Sequence, residues 1–129
     1  MAHPPFTFEE KSKTMKSFNP HDTKKLMSFL EQPSSVPTLK NGNIISENYD
    51  KENPETWEGI VWNNAGECSV INWYGKKHLS GKLNLNDCKG LSFLYLDNNN
   101  LTSLSTRNCS ELEELTCKHN KIWELDTSG

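Results

Sequence analysis

Four cysteines are the side chains of this sequence that could most readily do chemistry: Cys68, Cys88, Cys109 and Cys117. Cys88 and Cys109 lie 21 residues apart, and units stacked at that spacing would bring them about 5 Å from each other, within reach of a disulfide. Stacked side chains point in parallel, however, which is a poor geometry for a bridge. An inward-facing thiol otherwise behaves as a small buried hydrophobe. The pattern favours four buried thiols and leaves a Cys88–Cys109 or Cys68–Cys88 bridge open.

Metal binding and catalysis are the other chemistries to consider. Cys117 and His119 have a spacing found between zinc ligands, and Cys109 lies eight residues earlier, but no C-x-x-C pair completes a four-ligand set. His21, His78 and His119 have no nucleophile at motif spacing. The acidic side chains near the C-terminus most simply form a solvated face: Glu111, Glu113 and Glu114. We therefore predict that the chain is not an enzyme and binds no metal or cofactor.

A repeat of 21 residues organises the C-terminal third of the chain. Two segments superpose without a gap, and the matched positions are all apolar or Asn: Cys88, Leu91, Leu94, Leu96, Asn99, Leu101 and Leu104 with Cys109, Leu112, Leu115, Cys117, Asn120, Ile122 and Leu125. Leu94 and Leu96 are two residues apart, so on a strand both point into the core. The amide of Asn99 can satisfy backbone groups at the following turn. Because one unit cannot bury its own apolar edge, neighbours should stack as parallel strands about 4.8 Å apart.

The spacing L-x-x-L-x-L-x-x-N-x-L resembles the leucine-rich repeat. It is most similar to the short repeats of bacterial surface proteins, in which Cys occupies an inward strand position and L-D-x-S ends the repeat. Here those features are Cys117 and residues 125–128. The resemblance implies a leucine-rich repeat solenoid over residues 81–129, with short parallel strands stacked at a 21-residue period. It also implies export or display at the cell surface, although the sequence contains no signal peptide.

The preceding segment resembles the N-terminal cap of extracellular leucine-rich repeat proteins, which reads as a helix, C-x-W-x-G-V-x-C, a first strand and L-x-G-x-L. The corresponding residues are Leu26, Met27, Phe29, Leu30, Trp57, Gly59, Ile60, Trp62, Val70, Trp73, Leu79, Gly81 and Leu83. Glu55 and Trp62 stand where the family has its two cysteines. The resemblance therefore implies that aromatic packing replaces a disulfide, and we expect Trp57, Trp62 and Trp73 to be mostly buried.

These patterns divide the chain into three parts. Residues 1–16 are rich in Pro, Lys, Glu and Ser and are predicted to form a flexible tail. Residues 17–80 are predicted to form an α+β N-terminal cap, with a degenerate first repeat near residues 69–83. Residues 81–129 contain the leucine-rich repeats. The degenerate repeat aligns with its successor at the same spacing of 21 residues: Val70, Trp73 and Leu83 fall on Leu91, Leu94 and Leu104.

Within the cap, Asn19-Pro20 predicts the start of a helix near residues 20–32. Residues 33–54 contain several turn-forming dipeptides and are predicted to form a loop with little regular structure. Strands near residues 59–62 and 69–74 are expected to form a hairpin. At the other end, the sequence stops with a repeat and no polar cap. We expect the chain to be the N-terminal piece of a longer array.

The strand positions that alternate with the core supply a candidate binding surface on the concave face: Asn72, Tyr74, Lys76, Phe93, Tyr95, Asp97, Glu114, Thr116 and Lys118. Tyrosine and phenylalanine on a rigid sheet give contact area at low entropic cost. Ordinary β-propensity explains the same side chains equally well. The repeat spacing predicts that Tyr74 and Tyr95 are stacked neighbours.

Three functions fit these observations. The leading hypothesis is a non-enzymatic recognition module that binds a protein partner through the concave strand face. The second is a glycan-binding surface that uses Tyr74 and Tyr95, and the third is a purely structural solenoid cap with no ligand. A net charge of −3 gives no indication of nucleic-acid binding, and no apolar run is long enough to insert into a membrane. The open last repeat predicts a monomer or weak edge-to-edge association.

Overall fold

The computed structural model describes residues 17–129, so the predicted tail over residues 1–16 lies outside the described residues. The chain is an α+β protein with two small sheets, both of which contain parallel strands. Its elements in chain order are α1 (Pro20–Leu30), α2 (Asn41–Ile45), a 3₁₀ turn (Pro54–Thr56), β1 (Ile60–Trp62), β2 (Cys68–Asn72), β3 (Ser80–Asn84), β4 (Phe93–Tyr95), β5 (Asn100–Ser105), β6 (Glu114–Thr116) and β7 (Glu124–Asp126).

Helix α1 begins where the sequence predicts. The Asn19 side chain accepts a hydrogen bond from the Asp22 backbone N–H, and Pro20 occupies the first helical position, where its missing N–H has no intrahelical partner to lose. One face of the helix is buried against the sheets: Asp22, Leu26, Phe29 and Leu30. Phe29 stacks on Trp73, with ring centroids 5.5 Å apart. This contact joins the helix to the end of β2.

The prediction of a loop with little regular structure over residues 33–54 is wrong in part. The five-residue helix α2 forms within it, despite an Asn-Gly-Asn start that is unfavourable in a helix interior. Buried Asn41 explains this, because its side-chain amide donates to Phe29 O and Ser80 O and its Oδ1 accepts from Ser80 N–H. Gly42 is required by close packing, since a Cβ there would lie 2.4 Å from the Tyr49 ring.

The predicted hairpin is present. Strands β1 and β2 pair antiparallel, and Asn63 fixes the turn between them by accepting at Oδ1 from the N–H groups of Ala65 and Glu67. Gly59 precedes the hairpin with a φ of +86°, and a Cβ there would come within 2.6 Å of the Trp73 ring. Glycine therefore lets the Trp73 indole approach and donate to Glu58 O at 2.9 Å.

The two sheets are named here by their position relative to the core. The front sheet has the strand order β1-β2-β4-β6, and the back sheet has the order β3-β5-β7. In the front sheet β4 and β6 are parallel, with Phe93 opposite Glu114 and Leu94 opposite Leu115. The prediction that residues 93–96 and 114–117 pair in parallel at a 21-residue offset is confirmed. The back sheet keeps the same offset where β5 meets β7, with Leu104 opposite Leu125.

The register predicted for the first repeat is wrong. Strands β2 and β4 pair with Ile71 opposite Leu94, an offset of 23 residues, so Ile71 takes the inward position that the sequence analysis gave to Trp73. The chain segment between the two sheets is longer in the first repeat than in the second. Pairing resumes at Gly81 opposite Leu101, and Thr102 then forms a bulge that restores the 21-residue offset at Lys82. A gap-free alignment could not represent this insertion.

One hydrophobic core lies between the sheets and extends under α1. The three predicted tryptophans are buried, with 3% exposure at Trp57, 9% at Trp62 and 0% at Trp73. Two asparagines seal successive turns as predicted. Asn99 accepts from Leu79 N–H and donates to Trp73 O and Leu96 O, and Asn120 repeats this arrangement one unit later with Leu101, Leu96 and Cys117. Each asparagine therefore ties its own turn to the preceding unit.

Candidate functional site

The outward side of the front sheet, called the front face, carries the candidate site. Strand alternation determines which side chains reach it, because Ile71, Leu94 and Leu115 point into the core. The front face therefore carries the residues between them: Val70, Asn72, Phe93, Tyr95, Glu114 and Thr116. Strand β1 adds Val61, which lies opposite Val70 and is 55% exposed.

Strand register arranges these side chains in rows across the sheet. The first row is apolar over three strands, with Val61, Val70 and Phe93 side by side, and it ends at Glu114. The second row contains Asn72, Tyr95 and Thr116. An apolar row therefore runs beside a polar one. Sequence analysis missed Val61 and Val70, and their alternation with Ile60, Ile71 and Trp62 was the signal that could have identified them.

Hydrogen bonds and ring packing fix the middle of the front face. The Phe93 and Tyr95 rings lie nearly parallel, with centroids 6.4 Å apart and planes inclined by 13°. The Tyr95 hydroxyl donates to Glu114 Oε1 on the neighbouring strand, and this bond to a carboxylate raises the pKa of Tyr95. Asp97 Oδ1 accepts from the Lys118 backbone N–H at 2.8 Å. These contacts hold Tyr95 and Glu114 in one orientation before any ligand arrives.

The predicted stacking of Tyr74 on Tyr95 is wrong, because Asn72 and not Tyr74 lies opposite Tyr95. Tyr74 follows β2, where Asn72 Oδ1 accepts its N–H at 3.3 Å, and its side chain is 59% exposed. The next residue, Gly75, donates its N–H to Asp97 O, so Tyr74 is beside Asp97. The 23-residue register of β2 causes this displacement.

The remaining predicted site residues lie at the edge of the front face or beyond it. Asp97 and Lys118 directly follow β4 and β6 and flank the carboxyl end of the sheet. Lys76 lies in the inserted segment between β2 and β3, outside the paired strands. The structure thus brings eight of the nine predicted positions to one end or face of the sheet and leaves Lys76 apart.

The four cysteines are free thiols, and three of them are buried: Cys68, Cys88 and Cys109. Burial raises the pKa of each of these three thiols, and the nearby Asp22 carboxylate raises it further at Cys68 and Cys88. Cys109 Sγ donates to Leu85 O at 3.1 Å. A raised pKa suppresses the thiolate, so these side chains fill the core and are poor nucleophiles. Cys117 is half-buried, and burial raises its pKa as well.

Among residues 17–129 one trio of possible metal ligands is close enough to consider, with donor atoms of His21, Asp22 and Cys88 all within 4.8 Å of one another. Its carboxylate already has other partners. Asp22 Oδ1 is 2.8 Å from His21 Nδ1, and Oδ2 accepts from Cys68 N–H at 3.0 Å. The trio is therefore explained as a hydrogen-bonded buried carboxylate that joins α1 to β2.

Comparisons of the chain with known protein families, with curated proteins and with solved structures give no match. Within the described range of residues, neither helix has the length and apolar character needed to cross a bilayer. The residues of the front face therefore carry the functional argument by themselves.

Proposed function

We propose that this chain is a non-enzymatic recognition module that binds a protein partner through its front face. The observation that carries the proposal is the exposed apolar row of Val61, Val70 and Phe93, flanked by the tethered pair Tyr95 and Glu114. Core packing does not require these side chains, since they point away from the core. An apolar centre bordered by polar groups is the composition of protein-binding surfaces, and a preformed sheet loses little entropy when it binds.

We further propose that the chain forms the N-terminal cap and first leucine-rich repeats of a solenoid. The 21-residue register shared by the pairs β4–β6 and β5–β7 supports this architecture, as do the equivalent bonds of Asn99 and Asn120. The aromatic cluster of the cap supports it too, because Trp57 and Trp62 lie 6.2 Å apart where the family has a disulfide. By the same resemblance, the protein would act at a bacterial cell surface.

A crosslinking experiment tests the protein-binding proposal. A photoreactive phenylalanine analogue replaces Val61 or, in a second variant, Phe93, and each protein is expressed in its native cells and irradiated. The matched control carries the analogue at Lys82, which is exposed on the back sheet. We expect the same discrete adduct from both front positions and none from Lys82. Adducts of equal yield at all three positions, or none at either front position, would contradict the proposal.

Alanine substitution then separates protein binding from the two other functions. Val61→Ala with Phe93→Ala should abolish the adduct formed from an analogue at Tyr74, whereas Lys82→Ala should leave it unchanged. A glycan surface was predicted from adjacent Tyr74 and Tyr95, and the register that separates them removes its stacking platform. Binding of soluble oligosaccharides that is lost in a Tyr74→Ala variant would restore that alternative. A structural cap without a ligand predicts no specific adduct.

A further inference from the structure

The last repeat leaves one side of the core uncovered. Leu94 and Leu104 in the second repeat are completely buried, whereas Leu125, at the position equivalent to Leu104, is 55% exposed. Its neighbour Trp123 is 71% exposed, the largest exposed side chain of that end. Within residues 17–129 no strand pairs with the outer edge of β6 or β7. An apolar surface with two open strand edges therefore ends the described chain.

The backbone of β6 presents hydrogen-bonding groups in a fixed pattern at this edge. Glu114 donates its N–H to Ser92 O, and the carbonyls of Thr116 and Lys118 accept from Leu96 and Asn98. Even-numbered residues of β6 therefore direct their backbone groups toward β4. By strand alternation, the N–H and C=O groups of Leu115 and Cys117 point outward to the open edge.

We propose that this open end binds a second copy of the same chain, with the two β6 strands antiparallel and centred on Thr116. In that register Leu115 lies opposite Cys117 of the second copy, and Cys117 lies opposite its Leu115. Residues that are directly opposite and direct both backbone groups at each other exchange two hydrogen bonds in an antiparallel ladder. Two such pairs satisfy all the outward backbone groups of Leu115 and Cys117 in both copies.

Side-chain chemistry selects the same register. On the front face it places Glu114 of each copy opposite Lys118 of the other, in the closer, non-hydrogen-bonded type of pair, with Thr116 opposite Thr116. The strand is thus self-complementary in charge. A shift by one residue would set core side chains against front-face side chains. A shift of the centre to Cys117 would place Leu115 opposite His119 and remove the Glu114–Lys118 pairs. The second open strand belongs to the same repeat, so the same contact would cover Trp123 and Leu125.

Sedimentation equilibrium of the purified chain, without any ligand, tests this inference. We expect the wild-type mass to rise with concentration from the chain mass of 14.7 kDa toward twice that value. Glu114→Lys and Lys118→Glu each turn two attractive pairs into repulsive ones, so each should raise the dissociation constant by roughly tenfold or more. The double variant Glu114→Lys/Lys118→Glu restores opposite charges in both pairs and should recover dimerisation.

The controls distinguish the proposed pairing from general charge effects. Glu47→Lys makes the same charge change at an exposed position in the cap and should leave the dissociation constant unchanged. Far-UV circular dichroism checks that each variant folds, and Glu114 and Lys118 are both exposed, so neither change disturbs the core. A wild-type chain that stays at 14.7 kDa at millimolar concentration would overturn the proposal. A dimer that neither single variant weakens, or that the double variant fails to recover, would equally overturn this register.

Discussion

The second repeat, residues 88–108, and the last repeat, residues 109–129, have the same pattern but different environments. Leu94 and Leu104 are fully buried, while their equivalents Leu115 and Leu125 are half-buried and 55% exposed. Backbone pairing is the same in both, since β4–β6 and β5–β7 keep one register. The difference therefore comes from neighbours. A repeat with a unit on each side buries its leucines, and a repeat with a unit on one side does not.

The largest expected contrast is between two tryptophans. Trp57 is 3% exposed, packs on Trp62 and donates its indole N–H to Asp50 O at 2.9 Å, whereas Trp123 is 71% exposed. Trp57→Ala should lower the free energy of unfolding by about 3–5 kcal/mol. Trp123→Ala should change it by no more than about 0.5 kcal/mol. Urea denaturation at a concentration where the chain is monomeric measures both values, and equal losses would show that exposure does not set the cost.

A leucine pair compares the two repeats at equivalent positions. Leu104→Ala removes a fully buried side chain and should cost about 2–5 kcal/mol, because it leaves a cavity between two neighbouring units. Leu125→Ala removes a side chain that is 55% exposed and should cost less than about 1 kcal/mol. The same denaturation curves provide the measurement. A loss at Leu125 as large as that at Leu104 would mean that the last repeat is packed as completely as the second.

Thiol reactivity should reveal the same gradient with a smaller effect. Cys88 and Cys68 are fully buried with raised pKa values, and Cys117 is half-buried beside the open end. Iodoacetamide should modify Cys117 first in the native chain, and the buried thiols should react only through unfolding. Mass spectrometry of peptides sampled over time gives the individual rates, and labelling in denaturant is the control. Modification of Cys88 as fast as Cys117 would contradict the packing described for the core.

Sequence analysis anticipated the parts of the fold that depend on local pattern. The gap-free period predicts the parallel register of β4 and β6, and Asn19-Pro20 predicts the start of α1. Both signals lie within the segments that they determine. The loss of a cap disulfide at Glu55 and Trp62 likewise indicated buried tryptophans, which the structure confirms.

The errors occurred where distant contacts determine the structure. Helix α2 forms because buried Asn41 bonds to Phe29 and Ser80, and no local preference announces these partners. The inserted segment before β3 shifts the register of β2, which separates Tyr74 from Tyr95. As a result the sequence gave most of the front-face residues but not their rows. Val61 was missed because its place on the front face depends on antiparallel pairing with Val70.

Amide hydrogen exchange along the chain tests most directly whether neighbours on both sides set the order of each repeat. The sample must be dilute enough that sedimentation shows a monomer, since pairing of two copies would protect β6. We expect slow exchange at Leu94, Leu96 and Leu104 and markedly faster exchange at Leu115 and Leu125. Equal protection of the two repeats in a monomeric chain would contradict the account, because the last repeat would then be complete without a neighbour.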